Sequence, residues 1–324
     1  MTTAIVIEQY GGPDVMQARD VVVGHPGPDQ VKLQHTRIGV NFHDVYVRSG
    51  LYKTLALPGT PGIEAAGVVT EVGSNVHNVK VGDRVAYVTG AYGVYAAERL
   101  LDAKLLIALP DSVSDEVAAS VLLRGLTVDM LLNRVHQVQA GNTVLVHAAA
   151  GGVGQMLCQW AAHLGAVVIG TVRNDAQAAM AQAAGCHHII RHRDENIPER
   201  VKDITQGRGA DVVYDGVGQD TFQGSLDALA LCGHLVNFGQ ASGPVPPFLV
   251  SSLATKSNSV SRPIIFHYVQ DRAQRLEMAN NVFEAVAGGW LKVGTPREFA
   301  LEQAAECHRV LEAEGAGRPL LLVP

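Results

Sequence analysis

The chain has 324 residues, more than one compact core usually organises, so two domains are expected. Hydrophobic residues make up 47% and charged residues 17%, with a net charge of −6. That composition excludes a disordered chain and a bulk positive field, so neither nucleic acid nor an anionic membrane surface is an expected partner.

The four cysteines, Cys158, Cys186, Cys232 and Cys307, form no C-x-x-C pair, which argues against a zinc ribbon or a disulfide scaffold. No apolar run is long enough to span a bilayer, and "MTTAIVIEQYGGP" lacks the basic and apolar regions of a signal peptide. A cytoplasmic protein is expected.

Up to about residue 123 the chain reads as β-rich. Runs such as "VKLQHTRIGV", "EAAGVVTEVG" and "DRVAYV" are separated by Gly, Pro and Asp turns, at the spacing of a small irregular barrel. From Thr143 the rhythm changes. "TVLVHAA" reads as a buried strand, 152–164 as a helix, "AVVIGTV" as a strand, 175–184 as a helix and "HHII" as a third strand. "ADVVYDGVG", "GHLVNFG" and the region of "SNSVSRP" supply the fourth to sixth strands. Strands alternating with helices imply a doubly wound parallel sheet. The tail reads as one long amphipathic helix over 268–291, the strand "REFAL", another helix, and the apolar terminus "PLLLVP". It is expected to fold back onto the first domain.

Between the first strand and helix of this second region, Ala149-x-Gly151-x-x-Gly154 takes the positions of a G-x-G-x-x-G fingerprint, with Ala in place of the first Gly. Small residues let backbone approach a pyrophosphate, and the amides of Gly152 and Val153 at the helix start face its charge. In NAD-selective sites an acidic residue ends the second strand; here that position is Arg173, which suits a 2′-phosphate and favours NADPH. Gln177 and His192 are placed to complete the pocket. The alternative is that Arg173 is a solvated strand end and Asp175 selects the cofactor, although Asp175 reads better as a helix N-cap. The neighbouring His187 and His188 point to opposite faces of a strand, so no shared metal site is expected there.

Together, "HAAAGGVGQ", "GVNFHDVYVRSGLY", "GIEAAGVV", "GDRVAY", "LLRGLTV" and "YDGVG" resemble the zeta-crystallin-like quinone oxidoreductases (NADPH:quinone reductases). These are zinc-free members of the medium-chain dehydrogenase/reductase superfamily, and the likeness runs collinearly along the whole chain. It implies an α/β protein with a GroES-like β-barrel catalytic domain from residues 1–123 and 265–324, and a Rossmann domain over 124–264. It further implies NADPH as cofactor, a quinone as substrate and a homodimer.

Zinc alcohol dehydrogenases of the superfamily carry Cys-x-x-Asp, Gly-His-Glu and a third ligand before the Rossmann domain. This chain has Asn41-x-x-Asp44, then Gly62-Ile63-Glu64, and no Cys, His or acid over 121–127. Asn and Ile do not ligate zinc, so no metal is expected, and direct hydride transfer to an electron-poor acceptor is favoured over alcohol oxidation.

The resemblance also assigns roles. Asn41, Asp44, Tyr46 and Tyr52 fall in the family's substrate loop, Asn41 and Tyr46 near the nicotinamide and Tyr52 beside the quinone. Asp44 and Tyr46 read equally as residues that hold the loop. Thr127 matches a cofactor-contacting hydroxyl, or is an ordinary helix threonine. Val217 after the fourth strand, and Phe238, Gly239 and Gln240 after the fifth, stand at strand ends where ligands of such sheets collect. Arg262 would face the active cleft, and Arg318 lies near the family's C-terminal cofactor contact. Gln177 and His192 replace a lysine and a tyrosine of close relatives, which bears on the strength of the NADPH preference. Two other functions fit the same residues: an NADPH-dependent reductase of activated double bonds (enones or enoyl thioesters), and a non-catalytic, crystallin-like NADPH-binding protein.

Overall fold

The computed structural model describes residues 1–314 and 317–324. It divides into two compact units, one of residues 1–124, 269–287 and 293–324, the other of 125–268 and 288–292.

The first unit begins with β1 (Thr2–Val6), β2 (Gln17–Val21) and β3 (Gln30–Val40), then helix α1 (Phe42–Ser49). It continues with β4 (Glu64–Val72), β5 (Arg84–Val88), β6 (Glu98–Asp102) and β7 (Ile107–Ala108). β3 is the spine: it pairs antiparallel with both β4 and β6. Its alternation changes phase part-way. Val31, Leu33 and His35 are buried, and then Ile38 and Val40, because the register with β4 shifts between His35 and Arg37. A bulge of this kind bends a strand and helps a sheet to curl. His35 is buried at that bend, with Nδ1 2.6 Å from the Ala96 carbonyl and Nε2 2.8 Å from the Tyr87 hydroxyl. Burial holds its imidazole down at about 4.

Helix α2 (Asp115–Asp129) runs into a π-helical turn, Met130–Val135, and the division between the units falls inside α2. The second unit then alternates β8 (Thr143–Val146), α3 (Gly152–His163), β9 (Val167–Val172), α4 (Asp175–Ala183), β10 (His188–Arg191), α5 (Ile197–Ile204) and β11 (Ala210–Asp215). α6 (Phe222–Asp227), β12 (Leu229–Asn237), β13 (Ser259–Ser261) and the short α7 (Ile265–Tyr268) complete it. All pairs are parallel, in the order β10-β9-β8-β11-β12-β13. This is the doubly wound order whose direction reverses between β8 and β11, where ligands bind at the strands' carboxyl ends. Val144, Leu145, Val146, Val212, Val213, Leu235 and Val236 are all fully buried, the continuous apolar runs of strands covered on both faces.

The chain returns to the first unit with α8 (Arg272–Ala287), β14 (Arg297–Ala300), α9 (Ala304–Glu314) and β15 (Leu320–Val323). β15 pairs antiparallel with β3, so the tail does fold back onto the barrel. The single helix expected over 268–291 is not formed. Asp271 interrupts it, its Oδ1 accepting the Gln274 amide at 2.8 Å as an N-cap does. Gly288 and Gly289 end α8, with Gly289 at φ +73°. Trp290 then belongs to the second unit, stacked on His163 with ring centroids 4.0 Å apart and edge-on to Trp160. Residues 265–268, expected with the barrel, also cluster with the second unit. No helix among the described residues is long and apolar enough to cross a membrane.

Candidate functional site

In the second unit, β8 leaves the sheet through Ala148, which takes φ +50°, and Ala149, whose amide donates to the Thr171 carbonyl at 3.0 Å. Gly151 is the N-cap of α3, and no side chain among the described residues caps the helix start. Gly152 and Val153 are partly exposed, so their amides sit at an open, positively polarised helix end. A Cβ on Gly154 would collide with the Ala148 carbonyl oxygen and stand 2.9 Å from Ala149 Cα, so that glycine is needed for close helix–strand packing. A Cβ on Gly151 would meet only the Ala148 carbonyl, at 3.1 Å. The turn therefore separates a packing glycine from one whose free space lies outward.

Beyond β9, Arg173 and Gln177 lie together: the Gln177 carbonyl oxygen accepts the Arg173 amide at 3.0 Å. Gln177 thus holds the loop with one end of its amide. The helix N-cap is Asn174, whose Oδ1 accepts the Gln177 amide at 3.0 Å, not Asp175 as the sequence reading had it. Asp175 is the first helical residue, and its carboxylate pairs with Arg191 at 2.5 Å. Burial, and then the charges of Arg173 and Arg193, hold the His192 imidazole below its ordinary value. Arg173 and Arg193 are therefore two cations beside a neutral His192, with Gln177 next to Arg173. Arg193 was missed by sequence reasoning; the run "RHR" was the available signal.

The other strand ends are braced to each other. Asp215 closes β11 and accepts the amides of Val217 and Gly218 at 2.8 and 3.0 Å and the Thr221 hydroxyl at 2.8 Å. Gly239 lies so close to Gly216 that a Cβ would strike its carbonyl, which brings Phe238, Gly239 and Gln240 alongside Val217. His147, at the end of β8, reaches Thr171 Oγ1 at 3.1 Å and Ser225 Oγ at 2.9 Å, and Ser225 Oγ is 3.2 Å from Asp215. Arg262 donates from Nη1 to the Asn237 carbonyl at 3.0 Å, bracing the end of β12. Thr127 is half-buried within α2.

In the first unit, the expected substrate loop is partly helix α1, with Asn41 as its N-cap. Asp44 Oδ2 accepts the Asn41 amide at 2.8 Å, one half of a capping box. Asn41 Nδ2 donates to Glu64 Oε2 at 2.7 Å, and Glu64 Oε1 accepts the Leu123 amide at 2.6 Å. Tyr46 and Tyr52 pack with ring centroids 5.0 Å apart, and His43 lies edge-on to Tyr52 at 5.6 Å. Tyr92 adds its hydroxyl, bonded to Thr54 and 3.5 Å from His43. Burial holds His43 down at about 4. Asn41, Asp44, Tyr46 and Tyr52 are thus one cluster, to which the structure adds Glu64 and Tyr92. Arg318 is exposed two residues before Leu320 of β15, which pairs with Val40, the residue preceding Asn41.

Two family models match the chain: the alcohol dehydrogenase GroES-like domain over residues 27–111, and zinc-binding dehydrogenase over residues 152–281. A quinone oxidoreductase of Salmonella typhimurium is 41% identical, with 100% of both chains covered. The chain belongs to the zinc-free quinone oxidoreductases of the medium-chain dehydrogenase/reductase superfamily.

The fold agrees: the crystal structure of Escherichia coli quinone oxidoreductase complexed with NADPH superposes with a TM-score of 0.96 at 40% identity, covering 99% of this chain and 100% of that one. A 2-haloacrylate reductase of a Burkholderia species is 41% identical, covering 100% of this chain and 99% of that one. In this quinone oxidoreductase family member, Ile63 is buried and Asn41 is engaged by Glu64.

Proposed function

We propose that the chain reduces quinones with NADPH by direct hydride transfer and without a catalytic metal, as a cytoplasmic homodimer. The observation that carries this reading is the open helix start at Gly152 and Val153 on the same unit as the cations Arg173 and Arg193, which flank His192. One is suited to a pyrophosphate and the other to a 2′-phosphate.

When bound, NADPH supplies a hydride from C4 of its nicotinamide. The turn Ala149–Gly154 would hold the pyrophosphate, and Val217, Phe238, Gly239 and Gln240 would line the cofactor from the neighbouring strand ends, which Asp215 and Arg262 brace. Thr127 would hold the nicotinamide end from the second unit; in the first unit Asn41, fixed by its bond to Glu64, and Tyr46 are the residues that the family resemblance assigns to the same ring. The Tyr52 hydroxyl donates to the acceptor oxygen as negative charge develops there. Its ring is held for this by Tyr46 and His43, and its amide by the Tyr46 carbonyl at 3.0 Å. With Asn and Ile at the metal-ligand positions, the acceptor must already be electron-poor.

The similarity to a 2-haloacrylate reductase supports a second reading, in which the acceptor is an alkene conjugated to a carbonyl or carboxylate. Loss of reduced-nicotinamide absorbance with 1,4-benzoquinone, with 2-chloroacrylate, or with neither separates the readings. Acceptor-dependent oxidation by quinone supports the first; oxidation only with the alkene moves the assignment to the second; none with either leaves only an NADPH-binding protein. Tyr52→Phe is expected to lower kcat about 10- to 100-fold with little change in the KM for NADPH. An unchanged kcat removes the hydroxyl from the reaction.

The four cysteines are all free thiols, as a reducing cytoplasm requires. β13 is an edge strand, and Leu249 and Val250, at the start of the 3-10 helix before it, are 76% and 75% exposed, which supports pairing of two copies through this unit. Sedimentation at monomer mass would remove the dimer.

A further inference from the structure

Asp44 and Glu64 are both fully buried carboxyls, and among the described residues no basic side chain forms an ion pair with either. Asn41 joins them, its amide on Asp44 and its side-chain nitrogen on Glu64. The two carboxyls are not equivalent. Each oxygen of Glu64 accepts an N–H, from Leu123 and from Asn41, and the Arg124 charge lies nearby. That surrounding favours an ionised Glu64.

Around Asp44 the hydrogens can be placed by elimination. Arg48 Nη1, which can only donate, is 3.2 Å from His308 Nδ1, so that nitrogen accepts. His308 Nε2 then carries the hydrogen and gives it to the Tyr95 hydroxyl at 3.0 Å, and Tyr95 gives its own to Asp44 Oδ2 at 3.1 Å. Arg48 is itself held by a bidentate pair with Glu312 at 2.8 and 3.0 Å. Asp44 Oδ2 therefore receives two hydrogens, from Asn41 and Tyr95. Oδ1 is buried with no hydrogen-bond partner among the described residues. On Asp44 it is the oxygen where a proton can sit without displacing a donor.

We propose that Asp44 and Glu64 share a single proton, carried on Asp44 Oδ1, and that this proton completes reduction of the acceptor. The proposal rests on the reductase reading above and adds the source of the second hydrogen. Hydride brings two electrons and one proton to the quinone, leaving a hydroquinone anion. The Asp44 O–H bond then breaks, the new O–H bond forms on the product, and the Asp44 carboxylate takes a proton back from water between turnovers. Asp44 is the proton-holding residue; Glu64, Asn41 and Tyr95 position and tune it.

The titratable and charged groups facing Asp44 are Glu64 from β4, Tyr92 and Tyr95 from the segment before β6, Cys307 and His308 from α9, and Arg48 from its own helix. Burial, with the Glu64 charge adding, raises Asp44 to about 7, and burial raises Glu64 likewise. His308 is held neutral, at about 3, by burial and by Arg48, so it does not titrate against Asp44 near neutrality.

The test is the pH dependence of kcat in four proteins, together with the infrared carbonyl band of a protonated buried carboxyl, read on the full chain without substrate. Wild-type kcat should fall about tenfold per pH unit above about 7, and the infrared band should fade over the same range. Asp44→Asn should lose that pH dependence, lower kcat about 100-fold and abolish the band. Glu64→Gln removes the negative neighbour and should move the midpoint about one pH unit toward acid. Tyr95→Phe removes a donor to the carboxylate and should move it toward alkali. Opposite displacements by two buried substitutions are not expected of residues that only hold the fold. Should Asp44→Asn fold poorly, the other two variants still decide.

No carboxyl band at pH 5 to 6, or coincident midpoints in wild type, Glu64→Gln and Tyr95→Phe, overturns the proposal. A band that titrates near neutrality in a protein inert to quinone and alkene keeps the shared proton but overturns its delivery together with the reductase reading. A reductase without the band overturns the proposal alone.

Discussion

Arg173→Ala is expected to raise the KM for NADPH about 10- to 100-fold, to leave kcat near wild type, and to leave NADH almost unchanged. A charge-assisted hydrogen bond contributes about 1.5–3 kcal/mol, which converts to that range of affinity. The effect falls on Arg173 because the two alternatives for selecting the cofactor are already occupied. Asp175 is paired with Arg191, and the Gln177 carbonyl oxygen is committed to the Arg173 amide.

The same cluster gives the response to pH a sign. Arg173 and Arg193 help keep His192 deprotonated, and a bound 2′-phosphate favours the protonated ring. NADPH should therefore bind more tightly as pH falls through neutrality. In Arg173→Ala, with one repelling charge gone, His192 should take up its proton at a higher pH. Steady-state kcat/KM for the two cofactors from pH 6 to 8 checks both points. An NADPH-to-NADH ratio unmoved by Arg173→Ala would place selection elsewhere.

The second unit was more legible in the sequence than the first, for a physical reason. Its strands are covered on both faces, so they appear as uninterrupted apolar runs, and its helices alternate with them at regular distance. The glycine turn is equally local: strand, turn and helix follow within a dozen residues. Helix α1 was obscure because two of its four buried residues, Asp44 and Arg48, are charged types, held by the neighbouring Asn41 and by Tyr95, His308 and Glu312 from distant parts of the chain. No hydrophobic stripe advertises such a helix.

Glu64 was visible only as the residue after Ile63; its partner Asn41 comes from another element, and its partner Leu123 from a third. The choice between Asn174 and Asp175 as cap is a different limit. Both residue types cap helices well, and neighbouring candidates differ only in backbone geometry. The break before α8 has the same origin, since one Asp271 side chain decides whether the pattern continues.

The other large effect lies in the glycine turn, where substitutions at Gly151 and Gly154 should both weaken NADPH binding but differ in stability. Gly154→Ala places a methyl into the Ala148 carbonyl and against Ala149 Cα, both backbone, so α3 must move off β8. Overpacking of this kind costs about 1–3 kcal/mol, and Gly154→Val should cost more. Both variants should unfold at lower temperature and, with the helix start displaced, lose NADPH affinity at least tenfold. Gly151→Ala meets one carbonyl at 3.1 Å, which a shift of a few tenths of an ångström relieves, so its thermal midpoint should stay near wild type.

Its outward methyl, however, stands where backbone would approach the pyrophosphate, and NADPH binding should weaken by a similar factor. Thermal unfolding with and without NADPH, beside calorimetric binding, separates the pair. Wild-type affinity in Gly151→Ala would mean that the pyrophosphate does not rest on this turn, and wild-type stability in Gly154→Ala would mean that α3 does not need its present distance from β8.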